Sequence, residues 1–225
     1  MGYRLCEGLS VCLIEERCIF LDIRGDRYFG LEPERNAFFL ELVRGSRAPG
    51  ENHPQVKWFM TSSILIRVPS DEVPNFCHFP PRPCHSLIEE TIPPSTGRYA
   101  GRAVLCLVRT MVSLRFRSLA KMIERIGDER PLVAGFQPSG KRQAELVEVA
   151  WAFHKAGRVI SLVDQCLPKS IAMKRFLGSH RLSSTLVIGV ALKPFTAHCW
   201  VQCDDVVMSD SLDNVRTFTP ILVLP

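Results

Sequence analysis

The sequence lacks the features that mark membrane and secreted proteins. None of its apolar runs approaches the roughly 18–20 residues that cross a bilayer, so we expect no association with a membrane. Residues 1–13 carry charges and contain no apolar block before a small-residue cleavage site, which predicts that there is no signal peptide. Both absences favour a cytoplasmic protein.

The nine cysteines do not follow the spacing of a disulfide framework, and their number is odd. In a cytoplasmic protein this indicates reduced thiols, most of them small core residues. Two Cys-His pairs, Cys77-His78 and Cys84-His85, consist of adjacent residues, whereas paired zinc ligands are usually separated by two residues. We therefore predict no metal site. Because the chain also has no glycine-rich phosphate loop, we predict no bound cofactor.

The net charge of +5 is unevenly distributed. Residues 1–83 are near neutral, with 10 Lys or Arg and 11 Asp or Glu, whereas residues 84–225 carry 18 against 12. Much of the excess lies on one segment and comes from Arg98, Arg102, Arg109, Arg115, Arg117, Lys121 and Arg125. Such a segment is either a solvated helix face or a surface for an acidic partner or a nucleic acid. No zinc finger or aromatic stacking motif supports nucleic acid, so we expect no such partner.

The first part of the chain has the pattern of a β-meander followed by helices. Short apolar segments separated by turn signals predict strands at residues 10–14, 18–23 and 27–31, with a turn at 15–17. Pro33 suits the first turn of a helix, and Gly45 suits its end. Apolar residues at helical spacing predict a further helix over residues 55–67.

Seven prolines between residues 69 and 94 predict a linker between two domains. We place the first domain at residues 1–67, the linker at 68–97 and the second domain at 98–225. In the second domain we predict helices at 98–126, 140–157 and 166–178, followed by strands at 185–192, 196–203, 206–210 and 218–224.

Three residues of the second domain have the chemistry of a thiol-nucleophile site. Cys166 follows Asp164, a suitable N-cap, so its thiol is expected in the first turn of a helix, where free N–H groups and the dipole favour the thiolate. The same N–H groups suit an oxyanion hole. His198, on a predicted strand, can accept the thiol proton and return it to a leaving amine. It needs an acid to orient its second nitrogen.

The choice of that acid depends on the register of the hairpin after His198. A two-residue turn at Asp204-Asp205 would place His198 opposite Ser211, whereas a three-residue loop at 203–205 places it opposite Asp210. We predict the three-residue loop, or an equivalent bulge, and Asp210 as the third member of the site. The alternative acids are Asp204, Asp205 and Asp213.

Other cysteines and histidines in this domain are predicted to be packing residues. Alternation along the strand places Cys199 and Cys203 on the face opposite His198, so these residues diverge and do not form a zinc site with Cys166. His154 lies beside two aromatic residues on a predicted helix and is interpreted as a packing residue.

Three motifs and one acid of the second domain match a pattern found in a known family. They are Cys166-Leu167-Pro168-Lys169-Ser170, Leu186-Val187-Ile188-Gly189-Val190, Pro194-Phe195-Thr196-Ala197-His198-Cys199-Trp200-Val201 and Asp210. Residues 98–225 thereby resemble the transglutaminase-like cysteine peptidases of lasso-peptide biosynthesis. In that family the Cys, His and Asp of this pattern form the triad, which implies that the catalytic residues are Cys166, His198 and Asp210.

The first domain resembles the leader-recognition module related to the peptide chaperone of pyrroloquinoline quinone biosynthesis. The whole chain thus resembles the fused B maturation proteins of lasso-peptide pathways. The resemblance implies an α+β chain, in which a small winged-helix-like domain of β-meander and helices precedes a papain/transglutaminase-like cysteine peptidase domain. Such modules bind the leader as an added strand beside their third strand and a helix. The implied leader-binding residues are Arg27, Tyr28, Phe29, Leu31, Val56, Phe59 and Met60. For Tyr28, Phe29 and Leu31 the alternative is that they are ordinary core residues.

The resemblance implies a cytoplasmic bacterial cysteine endopeptidase that binds the leader of a ribosomal lasso precursor peptide and cleaves it from the core. Its implied partners are that precursor peptide and an ATP-using, asparagine-synthetase-like lasso cyclase, which forms the macrolactam afterwards. Two alternatives stay open. One is a non-catalytic peptide-binding scaffold, and the other is an acyl transferase that uses the same triad, because the sequence does not determine which nucleophile attacks the acyl-enzyme.

Overall fold

The computed structural model describes residues 2–45, 50–92, 97–127, 140–160 and 165–225. The chain divides into two compact units, Met1–His78 and Phe79–Pro225, each of which is described by itself. Both units combine helices with β-sheet, which confirms the predicted α+β class. No helix in the described part of the chain has the length and apolar character needed to cross a membrane.

The first unit consists of two small sheets and two helices around one core. Its elements are β1 (Gly2–Leu5), β2 (Leu9–Ile14), β3 (Arg17–Asp22), β4 (Arg27–Gly30), α1 (Pro33–Val43), α2 (Pro54–Thr61) and β5 (Leu65–Val68). Strands β2, β3 and β4 form an antiparallel meander in chain order, and β1 pairs with β5. The predicted meander is thereby confirmed. Phe20, Phe39 and Phe59 are completely buried and form the centre of the core.

Local turn chemistry explains why the meander was predictable. Ile14 pairs with Arg17, so the first hairpin has a two-residue turn at Glu15-Glu16, one residue shorter than predicted. Both turn residues have positive φ, 47° and 63°, the conformation that matches the twist of the adjoining strands. Pro33 lies in the first turn of α1, and Gly45, with φ +74°, follows the helix end, as predicted.

The predicted helix over residues 55–67 is wrong in its second half. Helix α2 ends at Thr61, Ser63 has a φ of +54°, and Leu65–Val68 forms β5. This strand exists because Gly2–Leu5, for which we predicted no strand, pairs with it along its whole length. A short apolar run does not distinguish helix from strand by itself, so the distant partner decides.

The second unit packs helices against a five-stranded sheet. Its elements are β6 (His85–Ser86), α3 (Leu87–Glu90), α4 (Ala100–Phe116), α5 (Leu119–Gly127), α6 (Gly140–Val159), α7 (Cys166–Ser179), β7 (Thr185–Leu192), β8 (Phe195–Cys203), β9 (Val206–Val207), α8 (Leu212–Val215) and β10 (Thr219–Leu224). The strand order is β10-β7-β8-β9-β6, antiparallel except for the parallel β9–β6 pair. Leu107, Phe153, Met173 and Val201 are buried together between α4, α6, α7 and β8.

The long helix predicted from Arg98 to Ile126 is two helices. Arg117 has an extended backbone, with φ −130° and ψ 144°, and it separates α4 from α5. The buried face of α4 contains Ala103 and Leu107, which are completely buried, whereas Leu105 is 57% exposed. A small residue at position 103 suits close packing of α4 against the neighbouring α6 and α7, and this favours burial of that face.

The boundary between the units lies at His78, inside the segment predicted as a linker. The second half of that segment belongs to the sheet of the second unit: β6 pairs with β9, and the N–H of Cys84 donates to the carbonyl of Asp205 at 2.8 Å. The guanidinium of Arg216 donates to the carbonyl of Pro83 at 2.9 Å. Proline lacks a donor but keeps its acceptor, so a proline-rich segment can still attach to a sheet.

Candidate active site

Cys166 is the first residue of α7, and its side chain is partly buried beside His198. Asp164, the predicted N-cap, lies outside the described residues, and Gln165 directly precedes the helix. The N–H groups of Leu167 and Cys199 donate hydrogen bonds to the sulfur. The first-turn N–H of Leu167 has no acceptor within the helix, so it is available for this role.

His198 connects the thiol with a carboxylate. It lies on β8 opposite Gly189 of β7, and its Nε2 is 2.6 Å from Oδ2 of Asp210. The imidazole also forms a hydrogen bond with Cys166. Because Nε2 is engaged by the carboxylate, Nδ1 is the nitrogen that serves the thiol. The structure thus brings the three predicted residues together in the order thiol, imidazole, carboxylate.

The electrostatics of this site favour a thiolate and an imidazolium. Burial raises the pKa of Cys166, but the hydrogen bond and charge of His198 and two backbone N–H groups outweigh burial and hold that pKa below its ordinary value. Burial lowers the pKa of His198, whereas hydrogen bonds to Asp210 and Cys166 and their charges raise it to about 9. Burial raises the pKa of Asp210, but hydrogen bonds from His198 and from the N–H of Ser211 lower it further. These shifts favour the thiolate, which is the nucleophilic form of the side chain.

The hairpin between His198 and Asp210 differs from the prediction. Cys203 pairs with Val206, so the turn contains only Asp204-Asp205, with φ +52° at its first residue. The predicted three-residue loop is wrong. Asp210 nevertheless contacts the imidazole because β9 has only two residues and the chain bends directly after it. The carboxylate reaches His198 because regular strand pairing ends at Val207, and a longer loop is not needed.

Three hydrogen bonds hold the bent segment after β9. The hydroxyl of Ser209 accepts from the N–H of Val201 at 3.0 Å, and the carbonyl of Ser209 accepts from Nζ of Lys169 at 2.9 Å. The completely buried Ser86 donates from its hydroxyl to the carbonyl of Asp210 at 2.8 Å. Because Lys169 lies in the first turn of α7, these bonds tie the carboxylate to the helix end that carries the thiol.

Asn214 is a further contact of the carboxylate, and the sequence analysis missed it. Its Nδ2 lies 3.2 Å from Oδ2 of Asp210 and 3.4 Å from Nε2 of His198. Ser211 caps α8 by accepting from the N–H of Asn214, and its own N–H donates to Oδ1 of Asp210 at 2.7 Å. The available signal was a serine cap directly after Asp210, because a capped turn brings positions i and i+4 side by side.

An aromatic stack holds the imidazole in place. Phe218 stacks on His198 with ring centroids 5.1 Å apart, and Trp200 lies at 6.3 Å on the same strand face. Gly189 makes room for these rings, since a Cβ there would come within 2.8 Å of Phe218 and 2.9 Å of Trp200. The side chains of His198 and Asp210 are only 15% and 21% exposed, so their hydrogen bond is largely shielded from water and correspondingly stronger.

The two cysteines of β8, Cys199 and Cys203, are packing residues, as predicted. Cys199 and Cys203 are 3% and 2% exposed. Burial raises the pKa of both thiols, that of Cys203 to about 12, so neither ionises at neutral pH. In the residues that the structure describes, no group of His, Cys, Asp and Glu is arranged to hold a metal ion.

The predicted leader-binding residues lie in the first unit in different environments. Arg27 is exposed on β4 and forms an ion pair with Asp22 at 3.1 Å. The half-buried side chains are Tyr28, Phe29, Leu31 and Met60. Val56 and Phe59 are completely buried in the core, so in this structure they offer no surface to a peptide.

A cysteine at a helix start, a histidine on the strand that packs against it and an acid after the next strand are the arrangement of a transglutaminase-like domain. The chain belongs to the transglutaminase-like superfamily: the model of this family matches residues 106–223, more than half of the 225 residues and all three members of the site. Part of the chain is similar to the microcin J25-processing protein McjB of Escherichia coli, with 44% identity over 53 residues. The matched part is 24% of this chain and 25% of McjB, so it spans about a quarter of that relative. No solved structure gives a significant match.

Proposed function

We propose that this protein is a cysteine endopeptidase that cleaves the leader from the core of a ribosomal lasso precursor peptide. The observation that carries the proposal is the Cys166–His198–Asp210 arrangement, in which the pKa of the thiol is lowered and that of the imidazole is raised to about 9. Membership of the transglutaminase-like superfamily supports thiol chemistry. The partial similarity to McjB, a microcin J25-processing protein, supports a peptide precursor as substrate.

In the proposed reaction, the thiolate of Cys166 attacks the scissile carbonyl, and first-turn amides of α7 form part of the oxyanion hole. The imidazolium of His198 gives its proton to the leaving amine, which breaks the peptide bond and leaves a thioester. His198 then takes a proton from water, whose oxygen attacks the thioester and releases the leader as a carboxylate. Asp210 orients the imidazole and stabilises its positive charge throughout.

The first unit is proposed to bind the leader as a strand added to β4, as winged-helix-like leader-recognition modules do. In the described part of the chain β4 pairs with β3 alone, so its outer edge has no strand partner. The half-buried Tyr28, Phe29, Leu31 and Met60 are the proposed side-chain contacts, with Arg27 at the strand start. Arg27 and Phe29 also line a cavity of about 340 Å³.

The proposed setting is the bacterial cytoplasm, with an ATP-using, asparagine-synthetase-like cyclase acting on the amine that cleavage releases. Coupling the two steps has a chemical reason, since the new N-terminal amine is the nucleophile of the macrolactam. The cyclase supplies the activation of the carboxylate, because the residues of this chain provide no phosphate-binding glycine loop.

Mass spectrometry of a synthetic leader–core precursor tests the proposal. Purified wild-type protein, alone or with a cyclase, is expected to yield free leader and free core, and Cys166→Ala is expected to yield neither. Cys84→Ala, which removes an exposed thiol outside the site, is the matched control and should keep the wild-type rate. Cleavage by Cys166→Ala contradicts the thiol mechanism. Absence of cleavage by the wild type in both settings favours the non-catalytic scaffold.

Acyl transfer is the second candidate, and the membership of the chain in the transglutaminase-like superfamily favours it. An amine that reaches the thioester before water forms a new amide instead of a carboxylate. Running the same reaction in H₂¹⁸O with added methylamine separates the two candidates. Incorporation of ¹⁸O into the leader indicates hydrolysis, whereas the mass of the methylamide indicates transfer.

A further inference from the structure

A cleft of the second unit, separate from the triad, concentrates positive charge. It has a volume of about 660 Å³ and lies between α4, α5 and α7. Buried side chains form its floor: Met122, Ala172, Phe176 and Leu182. Helix α7 lines it from Ala172 onward, ~9 Å along the helix axis from Cys166 at 1.5 Å per residue, and no triad residue lines it.

Among the described residues, all charged side chains that line the cleft are cations. They are Arg109, Arg117, Arg125, Lys174 and Arg175. The four arginines are exposed. Lys174 is buried, and its Nζ donates a hydrogen bond to the carbonyl of Ser184. Within the described ranges none of the four arginines forms an ion pair with an Asp or Glu side chain. The repulsion among these cations is therefore relieved by an anion that enters the cleft.

A guanidinium matches both carboxylate and phosphate, so a second feature is needed to choose between them. Helix α4 exposes an apolar stripe beside the cleft: Leu105, Val108, Val112 and Phe116, which are 42–80% exposed. Spacings of three and four residues place the four side chains on one face of the helix. Leu105 also lines the cleft, so the cationic cleft and the apolar stripe are contiguous.

A ligand that covers both features carries carboxylates and apolar side chains together, as an acidic polypeptide does. A phosphodiester backbone would leave the stripe in water. The aromatic ring of the cleft, Phe176, is buried and packs against Tyr99 and Phe153, so it is not available to stack on a base.

We propose that the cleft and the α4 stripe together bind an acidic polypeptide segment that carries apolar side chains beside its carboxylates. The arginines form charge-assisted hydrogen bonds with the carboxylates, and the stripe from Leu105 to Phe116 is covered by the apolar side chains. The site is independent of the peptidase proposal, because no residue of the triad takes part in it.

Fluorescence anisotropy with the full-length protein tests this site. The probe is a fluorescein-labelled random copolymer of Glu, Ala and Tyr, which presents carboxylates and apolar side chains in many local orders. Arg109→Gln with Arg175→Gln is expected to weaken binding about tenfold or more, because two charge-assisted contacts are lost. Val112→Ser with Phe116→Ser is expected to weaken it as well, and labelled poly-Glu should bind more weakly than the copolymer.

The matched control is Lys155→Gln with Arg158→Gln, which removes the same charge from exposed positions on α6, outside both the cleft and the stripe. It should change affinity less than about twofold. If the control variant loses as much affinity for the copolymer, the proposal is overturned, since the binding would then reflect the overall positive charge of the protein rather than the cleft. Absence of copolymer binding overturns it too. Tighter binding of a labelled oligonucleotide, dependent on Arg109 and Arg175, assigns the cleft to nucleic acid instead. Thermal unfolding of each variant verifies that the fold is kept.

Discussion

At the scale of single residues, the carboxylate of Asp210 controls the charge of the imidazole. Its hydrogen bond and charge help raise the pKa of His198 to about 9, so the imidazolium is present below that pH and is lost above it. In Asp210→Asn the pKa of His198 should fall, because burial lowers that pKa and the carboxylate that opposed this effect is gone. The pKa of Cys166 should rise, since the imidazolium that stabilises the thiolate is weakened.

We therefore expect the wild-type rate to fall as the pH rises through about 9, and the rate of Asp210→Asn to fall at a lower pH. The pH profile of precursor cleavage measures this alkaline limb, and the pH profile of Cys166 alkylation by iodoacetamide measures the ionisation of the thiol. Asp213→Asn, an exposed acid in the adjacent turn, is the control and should keep the wild-type profile. An unchanged alkaline limb in Asp210→Asn contradicts the role assigned to the carboxylate.

Asn214 is predicted to be a positioning residue of the same site. Its amide donates to Oδ2 of Asp210, lowers the pKa of that carboxyl and restrains its rotation. Asn214→Ala should lower kcat by about tenfold, the size of one lost hydrogen bond to a charged group, with little change in KM. The acidic limb of the rate profile should move to higher pH, because Asp210 becomes easier to protonate.

The control for Asn214→Ala is Asp213→Ala, a substitution at the exposed neighbouring residue. It should leave kcat and the acidic and alkaline limbs of the rate profile unchanged. A purely structural role of Asn214 would lower the melting temperature without moving the acidic limb. That result, in a variant with wild-type kcat at saturating substrate, would rule out the positioning role.

Residue chemistry made part of this site predictable. Cys166, His198 and Asp210 could be selected because nucleophile, base and orienting acid each require a particular side chain. Ser86 and Phe218 carry no such chemistry, and their contacts with Asp210 and His198 arise only from packing. Ser86 is 124 residues from Asp210, and no local pattern reports a contact of that separation.

At the scale of elements, the packing around β7 leaves room for only a glycine at position 189. A Cβ at Gly189 would come within about 3 Å of the side chains of Phe218 and Trp200, both of which pack against the imidazole. Gly189→Ala should reduce the free energy of unfolding by about 1–3 kcal/mol through overpacking. It should also slow alkylation of Cys166. If the aromatic rings shift, the imidazole of His198 is no longer held beside the thiol whose pKa it lowers. Urea unfolding and the alkylation rate measure the two effects.

Gly101→Ala is the control for that substitution, because a Cβ at Gly101 meets nothing within 4 Å. Gly101 lies in α4, so alanine there should leave the free energy of unfolding unchanged or raise it by up to about 1 kcal/mol. Equal stability of both alanine variants would show that the rings beside His198 have room to shift.

Elements with strong local signals were predictable, and elements with distant partners were not. The meander and α1 followed from turn residues and from Pro33 and Gly45 at the helix ends. Strand β5 was predicted as helix because its partner β1 lies about 60 residues earlier in the chain. The 203–205 loop was wrong for another reason. The register argument assumed that pairing continues to Asp210, whereas β9 ends at Val207.

At the scale of the whole molecule, the proposed recognition and the proposed chemistry belong to different units of one chain. The triad lies within Phe79–Pro225, and the open edge of β4 lies within Met1–His78. A leader held by the same chain raises the effective concentration of the scissile bond at Cys166, without a deep pocket for the residues beside that bond. The leader should therefore act on KM rather than on the chemical step.

This reasoning predicts the kinetics of a variant in the first unit. Tyr28→Ala with Met60→Ala removes two half-buried side chains proposed to contact the leader. We expect KM for the leader–core precursor to rise about tenfold or more, the size of one or two apolar contacts, with kcat within about twofold of the wild type. The alkylation rate of Cys166 should not change. Cleavage of a core peptide that keeps only the last few leader residues before the scissile bond should be equally slow in variant and wild type.

Leu13→Ala, which truncates a half-buried side chain on β2, controls for loss of stability in the same unit and should keep the wild-type KM. A rise in KM of equal size for Leu13→Ala would trace the effect to partial unfolding of the unit. An unchanged KM in the Tyr28 and Met60 variant would instead exclude these side chains from leader binding. In that case the substrate would be recognised by the second unit, where the chain would have to select the scissile bond from the residues directly beside it.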